Sequence, residues 1–214
     1  GSFVQSNNAA NYIVRIHCCQ IERTAIPANY LIDLTDNYQI DITSSTFTDY
    51  STNSNGIIKS NSDDHNYYSS FSMSNSWFTG TNHKLYTNAI HSYSHFHNIY
   101  NINCTDFISF SSNSVFFNLE CGEMTKFSFV FFTKLQDFGK LINFQNLPTS
   151  QSIESLGFFE CPSTYFIASD QPCKLKDCKF SDGDYLDHFS VSGNGKFVFD
   201  SPTITTNRGT LTKL

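Results

Sequence analysis

The sequence predicts an all-β chain wound into a right-handed parallel β-helix solenoid of about eight coils, and three observations predict it. A six-residue motif recurs along the chain, a second strand-like segment follows it at a fairly even distance, and the apolar runs are built from β-branched and aromatic residues. Aromatic residues make up 16% of the 214 residues, with 22 Phe and 11 Tyr, while charged residues make up only 15%. A disordered chain of such low charge and hydropathy would be poor in those aromatic residues, so the composition is that of a folded core.

The motif opens on an aliphatic or aromatic residue, continues through two mostly polar or small residues, a small residue and a free position, and closes on an aromatic residue or Ile. Its copies run from Ile16 to Ile21, Ile42 to Phe47, Met73 to Phe78, Ile102 to Phe107, Phe127 to Phe132, Ile153 to Phe158, Leu175 to Phe180 and Phe199 to Ile204. Their first residues lie 26, 31, 29, 25, 26, 22 and 24 positions apart. Within each copy the alternation is that of a short strand followed by a bend that restores the inward direction. The closing residues Ile21, Phe47, Phe78, Phe107, Phe132, Phe158, Phe180 and Ile204 are expected to stack as one internal ladder, about 4.8 Å from coil to coil. A mostly small interior column accompanies it: Cys19, Ser45, Ser76, Thr105, Val130, Leu156, Cys178 and Pro202.

The second strands read as Leu31 to Leu34, Gly56 to Ser60, Asn88 to Ser92, Val115 to Leu119, Lys140 to Phe144, Tyr165 to Ser169 and His188 to Ser192. Polar stretches such as Thr48 to Asn55 and Thr79 to Thr87 are loops whose variable length accounts for the uneven period. A β-sandwich shares the many short strands, but it does not require the same motif once per coil. The chain divides into residues 1–13, a lead-in whose Gly1-Ser2 reads as a cloning remnant, and a single solenoid domain over 14–214. That domain reads as part of a longer solenoid, with an end-to-end contact to further coils or another chain.

With 13 basic against 19 acidic residues, the surface lacks the phosphate-neutralising patch of a nucleic-acid-binding protein. No run approaches the roughly 18 apolar residues of a membrane span. Seven cysteines, an odd number without paired CxxC spacing, suggest neither a disulfide framework nor a zinc site.

Outward positions carry the candidate sites. One position after each motif start the residues are His17, Thr43, Ser74, Asn103, Ser128, Glu154, Lys176 and Asp200, all polar. Four positions after the start they are Gln20, Thr46, Trp77, Asp106, Phe131, Gly157, Lys179 and Thr203. Trp77, Asp106 and Phe131 are the ligand-binding candidates, two exposed rings flanking a carboxylate, suited to stack a sugar and hydrogen-bond its hydroxyls. No catalytic residue and no cofactor is assigned. His91, His95 and His97, with Asp182 and Asp184 in a later loop, are weak candidates for a metal, at spacings that match no zinc or EF-hand motif. Asn103-Cys104-Thr105 is an N-glycosylation acceptor lying in a strand column.

Asn75-Ser76-Trp77-Phe78 with Asn88-Ala89-Ile90, Asn103-Cys104-Thr105-Asp106-Phe107, and Asp177-Cys178-Lys179-Phe180 together resemble the repeats of pectin-lyase-like parallel β-helices, in particular surface proteins of that kind. The resemblance implies the β-helix fold, an extracellular or cell-surface location, and association with adhesion or carbohydrate. Lyases and hydrolases of that group carry clustered carboxylates on one outer face, and no such cluster falls on matching positions here. The expected function is therefore a non-catalytic adhesion or recognition module presenting its long face to protein or glycan on another cell or matrix. Its alternatives are a carbohydrate-active enzyme and an inert stalk of a larger protein.

Overall fold

In a computed structural model of the chain, every strand pairing is parallel and joins one turn of the chain to the next. The structure describes residues 4–6, 13–23, 30–35, 39–49, 53–61, 69–120, 122–146, 151–162, 165–181, 189–191 and 197–205. Together they form an all-β, right-handed parallel β-helix of roughly five turns, with further strand pairs extending its sheets at both ends. Among the described residues no helix is long and apolar enough to cross a membrane.

Two sheets make the walls. The eight-stranded one stacks Val4–Ser6, Ile32–Thr35, Ile58–Asn61, Ile90–Tyr93, Val115–Glu120, Lys140–Gln145, Tyr165–Ser169 and Phe189–Val191 in chain order. These strands coincide with the second strands read from the sequence, and Val4–Ser6, within the segment read as a lead-in, adds one more by pairing with Ile32–Thr35. The fourteen-stranded sheet holds the motif strands, including the long strands Ser70–Leu85, Phe96–Ser109 and Glu123–Thr133.

The backbone sets the register of the motif. Its third residue has positive φ in every copy: Cys18, Ser44, Asn75, Asn101, Phe129, Ser155, Asp177 and Ser201 lie between 49° and 55°. This left-handed residue bends the backbone within the long sheet, parting two strands in the outer copies and lying inside Ser70–Leu85, Phe96–Ser109 and Glu123–Thr133 in the middle ones, and short polar side chains tolerate it best. The small residue after it then points inward. Ser45 and Ser76 are fully buried there, and each accepts the amide hydrogen of the corresponding residue one coil earlier, from Cys19 and Ser45, at 3.2 Å.

This corner corrects the fourth copy. The positive-φ residue of that coil is Asn101, and Ile99 pairs with both Met73 and Phe127, so the copy runs from Ile99 to Cys104 and not from Ile102 to Phe107. Motif starts are then 26, 31, 26, 28, 26, 22 and 24 residues apart, a more regular series around the corrected coil. The internal ladder is Ile21, Phe47, Phe78, Cys104, Phe132, Phe158, Phe180 and Ile204 in backbone register. Phe47 stacks on Phe78 at 4.7 Å, and Phe158 stacks on Phe132 and Phe180 at 5.1 and 5.5 Å.

Cys104 leaves that ladder small in one coil, and a ring from the opposite wall fills the space. Leu31, Ile57, Ala89, Phe116, Leu141 and Phe166 are all buried where each coil enters the eight-stranded sheet. In the coil of Cys104 this residue is Phe116, whose ring meets Phe107, Phe117, Phe132 and Phe138 edge-on at 5.3 to 5.8 Å. Phe107, expected in the ladder, is instead buried beyond it against Phe116. Small beside large within one coil keeps the core dense without forcing the coil wider.

At the N-terminal end the core encloses a charge pair. Arg23 and Asp49 are 5% and 4% exposed, and Arg23 Nε donates to Asp49 Oδ1 at 2.9 Å while its Nη2 reaches Asp49 Oδ2 and the Gly56 carbonyl. Such a forked pair compensates its desolvation only while both partners are present.

Candidate functional site

The corrected register rebuilds the outward columns of the long sheet. Four positions after each motif start the pairing runs Gln20, Thr46, Trp77, Asn103, Phe131, Gly157, Lys179, Thr203. Asn103, not Asp106, therefore stands between Trp77 and Phe131. Asp106 belongs to the next corner, where it, Lys134 and Glu160 have φ of 60°, 55° and 52°. In the column one position after the start, Tyr100 takes the place expected for Asn103, under the ammonium of Lys126 at 4.2 Å.

A row of hydroxyl side chains lies beside the Trp77 column. Thr48, Thr79, Thr105 and Thr133 are in register on four successive coils and all are half-buried. On the other side of the column is the corner, where Asn101 Nδ2 donates to Asn75 Oδ1 at 2.7 Å across adjacent coils. The next corner residue is Phe129. It holds φ of 55° and is 48% exposed, where the other corners carry Cys, Ser, Asn or Asp. A bulky side chain in this conformation costs about 1–2 kcal/mol relative to glycine, and its exposed ring gains little from burial.

Aromatic rings thus rim a floor of amides and hydroxyls. Trp77, 46% exposed, stands on one side, Phe129 and Phe131 on the other, and Asn101 and Asn103 lie on the coil between them. From the strand spacing, the two rims are about 9–10 Å apart. The Phe131 ring leans towards Gly157: a Cβ there would come within 2.6 Å of both Phe131 Cδ1 and Phe159 Cε2. Gly157 therefore gives Phe131 a place to rest on the far side and leaves Asn103 open.

The histidines do not converge. His97 is fully buried, tilted against Phe71 with ring centroids 6.4 Å apart, and its Nε2 lies 3.1 Å from Ser92 Oγ. Burial lowers its pKa from 6.5 to about 4. His91 faces outward on the other sheet and lies 3.3 Å from Glu120 Oε1, and His95 packs edge-on to Phe96. Among the described residues no three of His, Cys, Asp and Glu come together, and Asp182 and Asp184 lie outside the described residues. Cys104, Cys161, Cys173 and Cys178 are buried, which pushes the last three thiols up to about 11 and Cys104 well above its ordinary value.

Comparison with family models, with curated proteins and with solved structures returned no match. The outer face itself is therefore the ground for a functional reading. Sequence reasoning found two of its rings, Trp77 and Phe131, but missed Asn101, Asn103 and Phe129. The spacing of the eight bends would have exposed Phe129 as the one large side chain among the corner residues.

Proposed function

We propose that the chain is a non-catalytic recognition module that holds a glycan on the outer face of the long sheet, over the coil of Asn101 and Asn103. The observation that carries this reading is Phe129, an exposed ring kept in positive φ next to a second and a third outward ring. The fold needs the left-handed bend but not a large side chain in it, and strain of that kind concentrates at ligand sites. Sugar rings present flat C–H faces that suit Trp77, Phe129 and Phe131, and hydroxyls that suit the two amides and the Thr row. The low surface charge fits a neutral ligand better than an anionic one.

Eight positive-φ corners support a count of eight coils. The repeat pattern supports kinship in architecture with pectin-lyase-like surface proteins and, with it, an extracellular or cell-surface setting where glycan or protein on another cell or matrix would be met. A carbohydrate-active enzyme built on Asp106 loses its rationale once that carboxylate moves to the next corner.

A glycan array identifies the ligand, and titration of the best binder tests the site. Trp77→Ala, Phe131→Ala and Phe129→Asn each weaken binding about 5- to 30-fold, the range of a central interface residue, while Asp106→Asn leaves it unchanged. Affinity untouched by all three ring substitutions would sink the assignment of this face.

A further inference from the structure

The outer face of the eight-stranded sheet carries a second concavity that the aromatic face does not share. Its outward column runs Asp33, Lys59, His91, Asn118, Asn143, Ala168 in register. Asn118 and Asn143 point away from the core, yet they are 6% and 4% exposed. A relay of hydrogen bonds fixes them. His91 Nε2 lies 3.3 Å from Glu120 Oε1, Asn118 Nδ2 donates to that same oxygen at 2.5 Å, and Asn143 Nδ2 donates to Asn118 Oδ1 at 2.7 Å. The His91 ring beside Glu120 holds its carboxyl below the usual range, so the relay is anchored on a charged end. Asn143 Oδ1 then accepts from Lys140 Nζ at 3.2 Å, which orients the ammonium and leaves it further N–H groups to donate.

One coil later the column shrinks to Ala168, and a groove of about 280 Å³ opens between Lys140, Asn143, Gln145, Asn146, Ala168 and Asp170. Asp170 Oδ2 accepts the Asn146 amide hydrogen at 2.7 Å, but Asp170 Oδ1 is buried and meets no donor among the described residues. Native proteins rarely leave such an acceptor unsatisfied without a reason.

The wall chemistry selects the occupant. Lys140 opposes a metal cation, Asp170 opposes an anion, and the one aromatic residue of the described lining, Phe144, is fully buried with its ring against Phe127 in the core, so it presents no flat face to the groove. What fits is a neutral molecule that gives a hydrogen bond to a carboxylate and takes one from an ammonium lining the same groove. A hydroxyl does both, and neighbouring hydroxyls on one ring do so at two points. We infer that this groove is a binding site for a single neutral sugar residue, with the Asp170 carboxylate accepting from one hydroxyl and Lys140 Nζ donating to another. The site is separate from the aromatic face and does not depend on it.

The test is titration of the isotope-labelled full chain by NMR with glucose, galactose, mannose and xylose, each into the high millimolar range. At least one sugar shifts the amide signals of residues 140–146 and 168–170 saturably. Asp170→Asn and Lys140→Met weaken that binding at least tenfold, and Trp77→Ala leaves it unchanged. Ala168→Leu fills the groove from its floor without touching a polar partner and also abolishes the shifts, which guards against a variant lost to misfolding. The inference is overturned if no sugar binds saturably, if Asp170→Asn and Ala168→Leu both bind as the parent does, or if Trp77→Ala alone removes the shifts. The last result would place the sugar on the aromatic face and leave the proposed recognition role standing; loss of glycan-array binding without loss of these shifts would do the reverse.

Discussion

Replacing Phe116 with Ala removes a fully buried ring that touches four other rings edge-on, in the one described inner coil whose ladder position is filled by cysteine. Truncating a buried Phe costs about 3–5 kcal/mol, part transfer and part cavity, and the loss of edge-to-face contacts places this site in the upper half of that range. Cys104 and Phe116 both pack on Phe132, so the vacated volume can be refilled from the opposite wall. Cys104→Phe alone overpacks the coil and costs about 1–3 kcal/mol. The pair Cys104→Phe with Phe116→Ala restores the aromatic stack from Phe78 through Phe132, and is expected to be at least 1 kcal/mol more stable than the sum of the single changes. Urea unfolding followed by tryptophan fluorescence and circular dichroism gives the cycle. In a chain of this length each kcal/mol also moves Tm by about 2–4 °C, so Phe116→Ala melts about 10 °C early. Strict additivity of the two substitutions, or a Phe116→Ala cost under 1 kcal/mol, would refute the idea that ring and thiol share one volume.

Three other outcomes are expected. Phe129→Asn relieves the positive-φ strain and raises stability by about 1 kcal/mol while weakening glycan binding, a trade readable from paired melting and titration curves. Arg23→Met strands the buried Asp49 carboxylate and costs about 3–5 kcal/mol, whereas Arg23→Met with Asp49→Leu recovers most of it; unfolding curves of the single and double variants decide this. His97 makes stability depend on acidity. Its folded pKa of about 4 lies below the 6.5 of the unfolded chain, so the unfolded state takes up the proton first as pH falls. Stability is whole above about pH 6.5 and declines towards pH 4 by about 3 kcal/mol. His97→Phe, which repeats the Phe71 found one coil earlier, flattens that slope in urea melts between pH 4 and 7.

The scaffold was legible because stacking repeats itself. Seven of the eight motif copies and the second strands fall where their composition places them, since a column buried on every coil must remain apolar on every coil. The exception has a physical cause. In the fourth copy Cys104 replaces the closing aromatic residue, and Ile102 to Phe107 satisfies the same pattern three residues later along an unbroken strand, Phe96–Ser109. Only the backbone at Asn101 separates the two readings, and positive φ leaves no firm mark in composition when Phe129 adopts it too. The groove at Asp170 was invisible for another reason. Its polar groups come from separate coils whose alignment depends on loops of unequal length, so no local spacing brings His91, Asn118, Lys140 and Asp170 together.

The left-handed bend three residues into each motif also bears on how such a chain gains and loses length. Because the turn geometry is written inside six residues, an excision from one motif start to the next removes a whole revolution, however many residues the loops contribute. Deleting residues 153–174, for instance, seats Leu175 where Ile153 stood and presents Phe180 to Phe132 with the same handedness and phase. An excision of equal size begun elsewhere in the coil keeps that phase as well, but fuses halves of unlike loops. Excision from one motif start to the next is therefore the quietest way to vary the height of the molecule.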